Sequence, residues 1–134
     1  GLYDIKEHIK TLTHLPLIVV NSHGHMDHSC GNYLFDEVYI HNLDKELCIL
    51  HNSEEWRKRN ICVAQSLSLI DESFDKEKYI SSREGNLLEL SYNQIFDLGN
   101  INVEVINMEG HTNGSVGFLI HEDNLLVTVV DFHI

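Results

Sequence analysis

Leu17-Ile18-Val19-Val20-Asn21-Ser22-His23-Gly24-His25-Met26-Asp27-His28 is the stretch on which the fold turns. Its first four residues are apolar, rich in β-branched side chains and preceded by Pro16, so they read as a short buried strand. The eight that follow are polar and punctuated by glycine, which reads as a loop at the strand's end. Loops set on rigid strands are where catalytic groups commonly sit. Four metal-ligand side chains, His23, His25, Asp27 and His28, fall within six residues of one another. A helix would turn His23 and His25 to nearly opposite faces, and Gly24 weakens a helix in any case. An extended loop instead puts 23, 25 and 27 on one side and sends His28 elsewhere. One cation can then take the two histidines and a second the Asp–His pair. A lone histidine is usually a surface or hydrogen-bonded residue. Groups packed this densely compete for protons unless a cation holds them.

Outward from this stretch the chain is a single unit, with no linker, repeat or low-complexity tract. Ile5, His8, Ile9 and Leu12 recur at helical spacing and predict a helix over residues 4–13, stopped by Pro16. Residues 29–34 can start a helix, and Val38-Tyr39-Ile40 reads as a short strand. Residues 44–51 and 54–69 read as helices and 71–84 as a polar excursion; the span 42–92 says little about function. After Phe96-Asp97-Leu98-Gly99-Asn100 the pattern changes. Ile101, Val103 and Val105 alternate with polar residues, and 115–120 and 125–130 are two more strands joined by the turn His121-Glu122-Asp123-Asn124. Helices first and hairpin-connected strands after predict a mixed α/β layered domain.

Two later residues look like partners of the histidine loop. His111 stands in Gly110-His111-Thr112-Asn113-Gly114-Ser115, where two flanking glycines allow a tight backbone approach. Asp131 ends the apolar run 125–130, as either a strand-end turn residue or a ligand aimed at the same edge.

Composition narrows the classes further. The chain has 134 residues, 43% hydrophobic and 22% charged, enough for one globular domain and unlike a disordered, collagenous or coiled-coil sequence. No apolar run approaches the roughly 18 residues of a membrane-spanning helix. With 9 basic against 21 acidic residues the net charge is −12, which repels phosphate backbones and suits cations, so no nucleic-acid partner is expected. Ten histidines are many for this length. Cys30, Cys48 and Cys62 are odd in number and widely spaced, which predicts reduced, buried thiols in a cytoplasmic protein rather than a disulfide framework. Asn113-Gly114-Ser115 fits a glycosylation acceptor formally but reads as turn chemistry beside His111.

His23-x-His25-x-Asp27-His28 resembles the H-x-H-x-D-H signature of the metallo-β-lactamase-fold hydrolases. Gly110-His111-Thr112-x-Gly114-Ser115 is similar to that superfamily's second motif, and the apolar run ending in Asp131 to its third. Phe96-Asp97-Leu98-Gly99 resembles the strand and turn that lead into the second motif. The resemblance implies an αβ/βα four-layer sandwich with a binuclear metal site at one edge. His23, His25 and His111 would hold one divalent metal, Asp27 and His28 the other, and Asp131 would bridge them. Zinc suits such imidazole and carboxylate ligands, with iron or manganese as alternatives. Water between two cations loses its proton near neutral pH and can attack a polarised carbonyl or phosphoryl group, with Asp27 orienting it or taking up a proton.

The expected function is a metal-dependent hydrolase acting on a small-molecule ester, thioester, lactone or related substrate. The alternatives are a non-catalytic metal-binding or interaction domain and an iron-dependent redox member of the same fold. The flavin-linked di-iron branch usually carries Glu where His25 stands, which disfavours it. Members of the family usually begin with a strand-rich segment and carry a further ligand histidine well after the bridging aspartate. His133 follows Asp131 too closely for that role. Residues 1–134 are therefore expected to be the central part of one such domain, incomplete at both ends. Exposed sheet edges in such a piece favour pairing with a second copy. Two further departures are Val130 before Asp131 and Cys30 before Gly31, where the family commonly has glycines.

Overall fold

A computed structural model describes residues 2–128, and Val130, Asp131 and His133 lie outside the described residues. The chain opens with α1 (Ile5–Leu12), close to the helix expected over 4–13. Asp4 caps it by accepting hydrogen bonds from the amides of Lys6 and Glu7. A short helix α2 (Met26–Ser29) and a 3-10 turn (Asn32–Leu34) lead into β1 (Glu37–His41). Three helices follow: α3 (Asn42–His51), α4 (Glu54–Ser66) and α5 (Lys76–Ser81). Then come β2 (Asn86–Leu90), β3 (Ile95–Asp97), β4 (Asn102–Asn107), β5 (Val116–Ile120) and β6 (Leu125–Val127).

The strands form two sheets. β1 and β2 pair in parallel, with Val38 opposite Leu87 and Ile40 opposite Glu89. β3, β4, β5 and β6 form an antiparallel meander in chain order. Alternation along β1 explains how the layers stack. Val38 and Ile40 are fully buried, while Tyr39, between them, faces the other way. Tyr39 joins Tyr92, Phe96 and Phe118 around the buried trio Leu90, Val105 and Val116, so this apolar cluster joins the two sheets. Helix α3 packs on both β1 and β2. The result is the mixed α/β layering expected from the order of elements.

Three local expectations change. Residues 17–20 do not form a buried strand. Val20 makes an isolated parallel bridge to Tyr39, and Leu17 and Ile18 are each 47% exposed. Among the described residues β1 is the strand that pairs with this segment, whose side chains line an open cavity together with Ile5 and Ile9 of α1. The polar excursion contains α5, capped by Asp75. The strand β2 lies in a stretch that reads as featureless, because its partner residues on β1 are 49 positions upstream and the pairing is set by tertiary contact.

The segment before the histidine loop is what positions the site. The amide of Tyr39 donates to Val19 O and that of Asn21 to Tyr39 O, both at 2.8 Å, which ties the segment to β1. One residue later the Val116 amide donates to Ser22 O at 2.8 Å, which ties it to β5. The backbone thus crosses from one sheet to the other at residues 21 and 22, immediately before His23.

Candidate metal centre

His23 is 1% exposed, and its Nδ1 lies 3.2 Å from the Ser22 hydroxyl. Its Nε2 is buried and has no hydrogen-bond partner among the described residues. A buried polar atom without a partner costs free energy and calls for an explanation. Three rings surround that of His23. The rings of His25 and His111 stand edge-on to that of His23, at centroid separations of 4.9 and 4.8 Å. His28 lies at 4.2 Å on another side. Burial and the neighbouring His28, His25 and His111 rings push the His23 pKa down to about 4. The ring is therefore neutral near pH 7 and keeps a lone pair, as a metal ligand must.

Two ligand groups share His23. Donor atoms of His23, His25 and His111 all lie within 4.8 Å of one another, as do those of His23, Asp27 and His28. His25 Nδ1 and His111 Nε2 are 2.9 Å apart, and Asp27 Oδ2 and His28 Nε2 are 3.3 Å apart. Two ligands on a tetrahedral zinc at ~2.0–2.1 Å would be separated by about 3.3 Å, so the donor set fits such an ion. Asp27 and His28 lie on the short helix α2, and this turn brings the His28 ring against His23 instead of sending it elsewhere. His23 belongs to both groups, with His25 and His111 in one and Asp27 and His28 in the other.

Asp44, which the sequence reading passed over, holds the two motifs together. It sits in the first turn of α3 and is 1% exposed. Its Oδ2 accepts from the Gly24 amide at 2.7 Å and from the Thr112 hydroxyl at 2.6 Å. Its Oδ1 accepts from the Gly114 amide at 2.9 Å. One carboxylate thus clamps the residue between His23 and His25 to the residues that follow His111. The glycines follow from this. A Cβ on Gly24 would come within 2.7 Å of Asp44 O, and one on Gly114 within 2.8 Å of Asp44 Oδ1. Gly110 needs its freedom for another reason, a φ of 151° in open space. Ser115 closes the second motif by accepting from the Thr112 amide at 3.1 Å. Asn113-Gly114-Ser115 is thus turn chemistry, as its residues suggest.

A second support lies beneath α2. The Ser29 hydroxyl donates to His25 O at 2.9 Å and accepts from Asn52 Nδ2 at 2.8 Å. Asn32 Nδ2 donates to Asn21 Oδ1 at 2.7 Å and reaches Cys48 Sγ at 3.6 Å. Arg57, fully buried, donates to Asn52 through Nε and Nη2, both at 3.1 Å, and lies between the rings of Tyr33 and Tyr79. Cys30 and Cys48 are buried as expected, but Cys62 is exposed, on the outer side of α4. Among the described residues no helix is long and apolar enough to cross a membrane.

Known proteins bear on this arrangement. The chain is 25% identical over 119 residues to human acyl-coenzyme A thioesterase MBLAC2, an alignment covering 87% of this chain and 41% of the relative. It thus spans about two fifths of that protein's length. Among solved structures it is similar to the BLEG-1 B3 metallo-beta-lactamase, at 17% identity and a TM-score of 0.49, covering 96% of this chain and 61% of the other. The family model described as the metallo-beta-lactamase superfamily matches residues 16–128, from the start of the histidine-loop segment to the end of the described structure. With both motifs on adjoining loops and nearly the whole sheet inside that match, the chain belongs to the metallo-beta-lactamase superfamily.

Proposed function

We propose that this chain carries the metal site of a hydrolase for small-molecule thioesters or related esters, built to hold two divalent cations, zinc first. The observation that carries the reading is the buried, unpartnered Nε2 of His23 at the corner shared by two ligand groups. Membership of the superfamily supports hydrolysis, and the MBLAC2 relative supports a thioester. His23, His25 and His111 would hold one cation and Asp27 and His28 the other. Asp131, outside the described residues, is the bridging ligand that the family resemblance implies. When bound, such cations supply Lewis acidity, polarising the scissile carbonyl and making nearby water more acidic.

The protein's own groups do the rest. His23 stays neutral, so it need not shed a proton to bind a cation near pH 7. Asp44 fixes the spacing between the two histidine motifs before any ligand arrives, so little is lost in ordering them. Asp27, exposed and 3.3 Å from His28, is placed to orient water or take up a proton. A cytoplasmic location fits the free thiols.

Metal content per chain by elemental mass spectrometry, with His25→Ala as control, is the test. About two equivalents that fall in the control support the binuclear site. One equivalent points to the three-histidine group alone. Near zero after reloading with zinc overturns the reading for this chain. Two equivalents with no turnover of any ester or thioester would leave a non-catalytic metal-binding domain.

A further inference from the structure

Beside the candidate metal ligands lies an open cavity of about 270 Å³, lined by His25, Met26, Asp27, Cys30, His51, Trp56 and Asn60. One wall carries the ligand candidates His25 and Asp27. The opposite wall comes from the end of α3 and the start of α4, which the family motifs do not include. The rings are piled in order: His51 stacks on Trp56 at 4.1 Å and 27°, and on His25 at 5.2 Å and 21°. The Arg59 guanidinium also lies over the Trp56 ring, 5.4 Å from its centroid, so Trp56 and Met26 meet the cavity as an apolar surface with a cation at its outer side.

His51 is oriented by a specific contact. The Met26 amide donates to His51 Nδ1 at 3.2 Å, so this nitrogen is the acceptor and the neutral ring carries its proton on Nε2. No described residue accepts from Nε2. A ring lining the cavity therefore has a hydrogen-bond donor to spare.

We propose that His51 and Trp56 form the acyl-recognition wall of this site, a role that rests on the hydrolase reading above. Trp56 and Met26 take the apolar acyl group of a thioester, and His51 Nε2–H donates to a substrate oxygen. Apolar and aromatic walls with a few convergent polar groups, here His51 and Asn60 beside the ligand candidates, are the usual make-up of such pockets.

Trp56 is the one tryptophan of the chain, so it reports on its own occupancy. The zinc-loaded chain is titrated with S-alkyl thioethers of N-acetylcysteamine, from ethyl to octyl, which cannot be hydrolysed. The expected result is a saturable change in Trp56 emission, with Kd tightening up to about fourfold per added methylene until the cavity is full. In Trp56→Ala, calorimetry is expected to show that dependence on chain length lost, with metal content unchanged. His51→Phe, which keeps the stack and removes both the outward donor and the acceptor for the Met26 amide, is expected to lower kcat/KM at least tenfold. His51→Gln, which can still accept from Met26 and donate outward, is expected to restore part of it.

Silent Trp56 emission across the series, or an unchanged chain-length slope in Trp56→Ala, overturns the proposal. The two readings fail separately. Thioester turnover with a silent Trp56 removes the acyl wall and leaves the hydrolase. A chain-length-dependent Trp56 response with no turnover of any ester or thioester removes the hydrolase and leaves a binding pocket.

Discussion

Behind the histidine loop the interior is polar, whereas between the two sheets it is apolar. Asn21, Ser22, His23, Ser29, Asn32, Asp44, Asn52 and Arg57 are all buried around the loop, most of them linked by hydrogen bonds. Between the sheets the buried residues are Leu90, Val105 and Val116, ringed by aromatic side chains. The two kinds of interior fail differently. Apolar contact is non-directional and tolerates small shifts in geometry. A buried hydrogen-bond network fixes one geometry, and each group left without its partner is penalised. Ligand donors must be held to a few tenths of an ångström, so the polar interior belongs at the loop and the apolar one at the sheet contact.

The largest expected effect is at Asp44. Asp44→Ala leaves the Gly24 and Gly114 amides and the Thr112 hydroxyl without their acceptor. Each buried amide left without its acceptor is expected to cost ~1–3 kcal/mol. Zinc uptake should fall with it, because the two motifs lose their common anchor. Asp44→Asn keeps one oxygen and should lie between the variant and the native protein. Chemical denaturation and metal content read both. An Asp44→Ala chain as stable as the native one, with full metal content, would break the contrast between the two interiors.

Leu90→Ala tests the apolar side. Removing a fully buried leucine side chain costs ~2–5 kcal/mol, depending on how far the site collapses. The discriminating readout is the metal content of the molecules that remain folded. It should stay at the native stoichiometry in Leu90→Ala and fall in Asp44→Ala. A parallel loss of metal in both would mean that the sheet contact, not the carboxylate clamp, sets the ligand spacing.

A smaller effect is expected with pH at Cys48, in the polar interior. Burial pushes its thiol from the ordinary value near 9 up to about 11. The folded pKa lies above the unfolded one, so between pH 9 and 11 the unfolded chain has released a proton that the folded chain keeps. Stability from this group is therefore complete below pH 9 and is lost as the pH rises towards 11. Cys48→Ala should flatten that part of the stability profile. At pH 8 a thiol reagent should modify exposed Cys62 quickly in the folded protein and reach Cys48 only after denaturation. Equal rates at the two positions would show that the network around Asn52 and Asn32 opens readily.

Much of this was legible in the sequence, for identifiable reasons. The density of His23, His25, Asp27 and His28 is a local signal, and so are the alternation in β4 and the glycines around His111. Each needs only near neighbours to be read. What stayed hidden depends on distant partners. Asp44 looks like an ordinary acid in a helix's first turn, and only the fold brings Gly24 and Thr112 to it. His51 looks like a basic residue closing α3, and its meaning comes from Trp56 and Met26. The sequence Asn86-Leu87-Leu88-Glu89-Leu90 suits helix or strand, and pairing with β1 decides it. Residues 17–20 mislead in the opposite sense. They have the composition of a buried strand, yet make one bridge and leave Leu17 and Ile18 half exposed.

The smallest expected effect marks where both interiors end. Ile95 lies on β3, an outer strand of the four-stranded sheet, with its side chain 56% exposed. Ile95→Thr keeps the β-branched shape that the strand favours and removes apolar area that is mostly in water already. The expected change in unfolding free energy is within ~0.5 kcal/mol, with metal content unaltered. A loss several times larger would show that another surface covers this strand in solution. Dilution series by light scattering would then separate a second copy, whose stabilisation falls with concentration, from a contact within the chain, which concentration leaves unchanged.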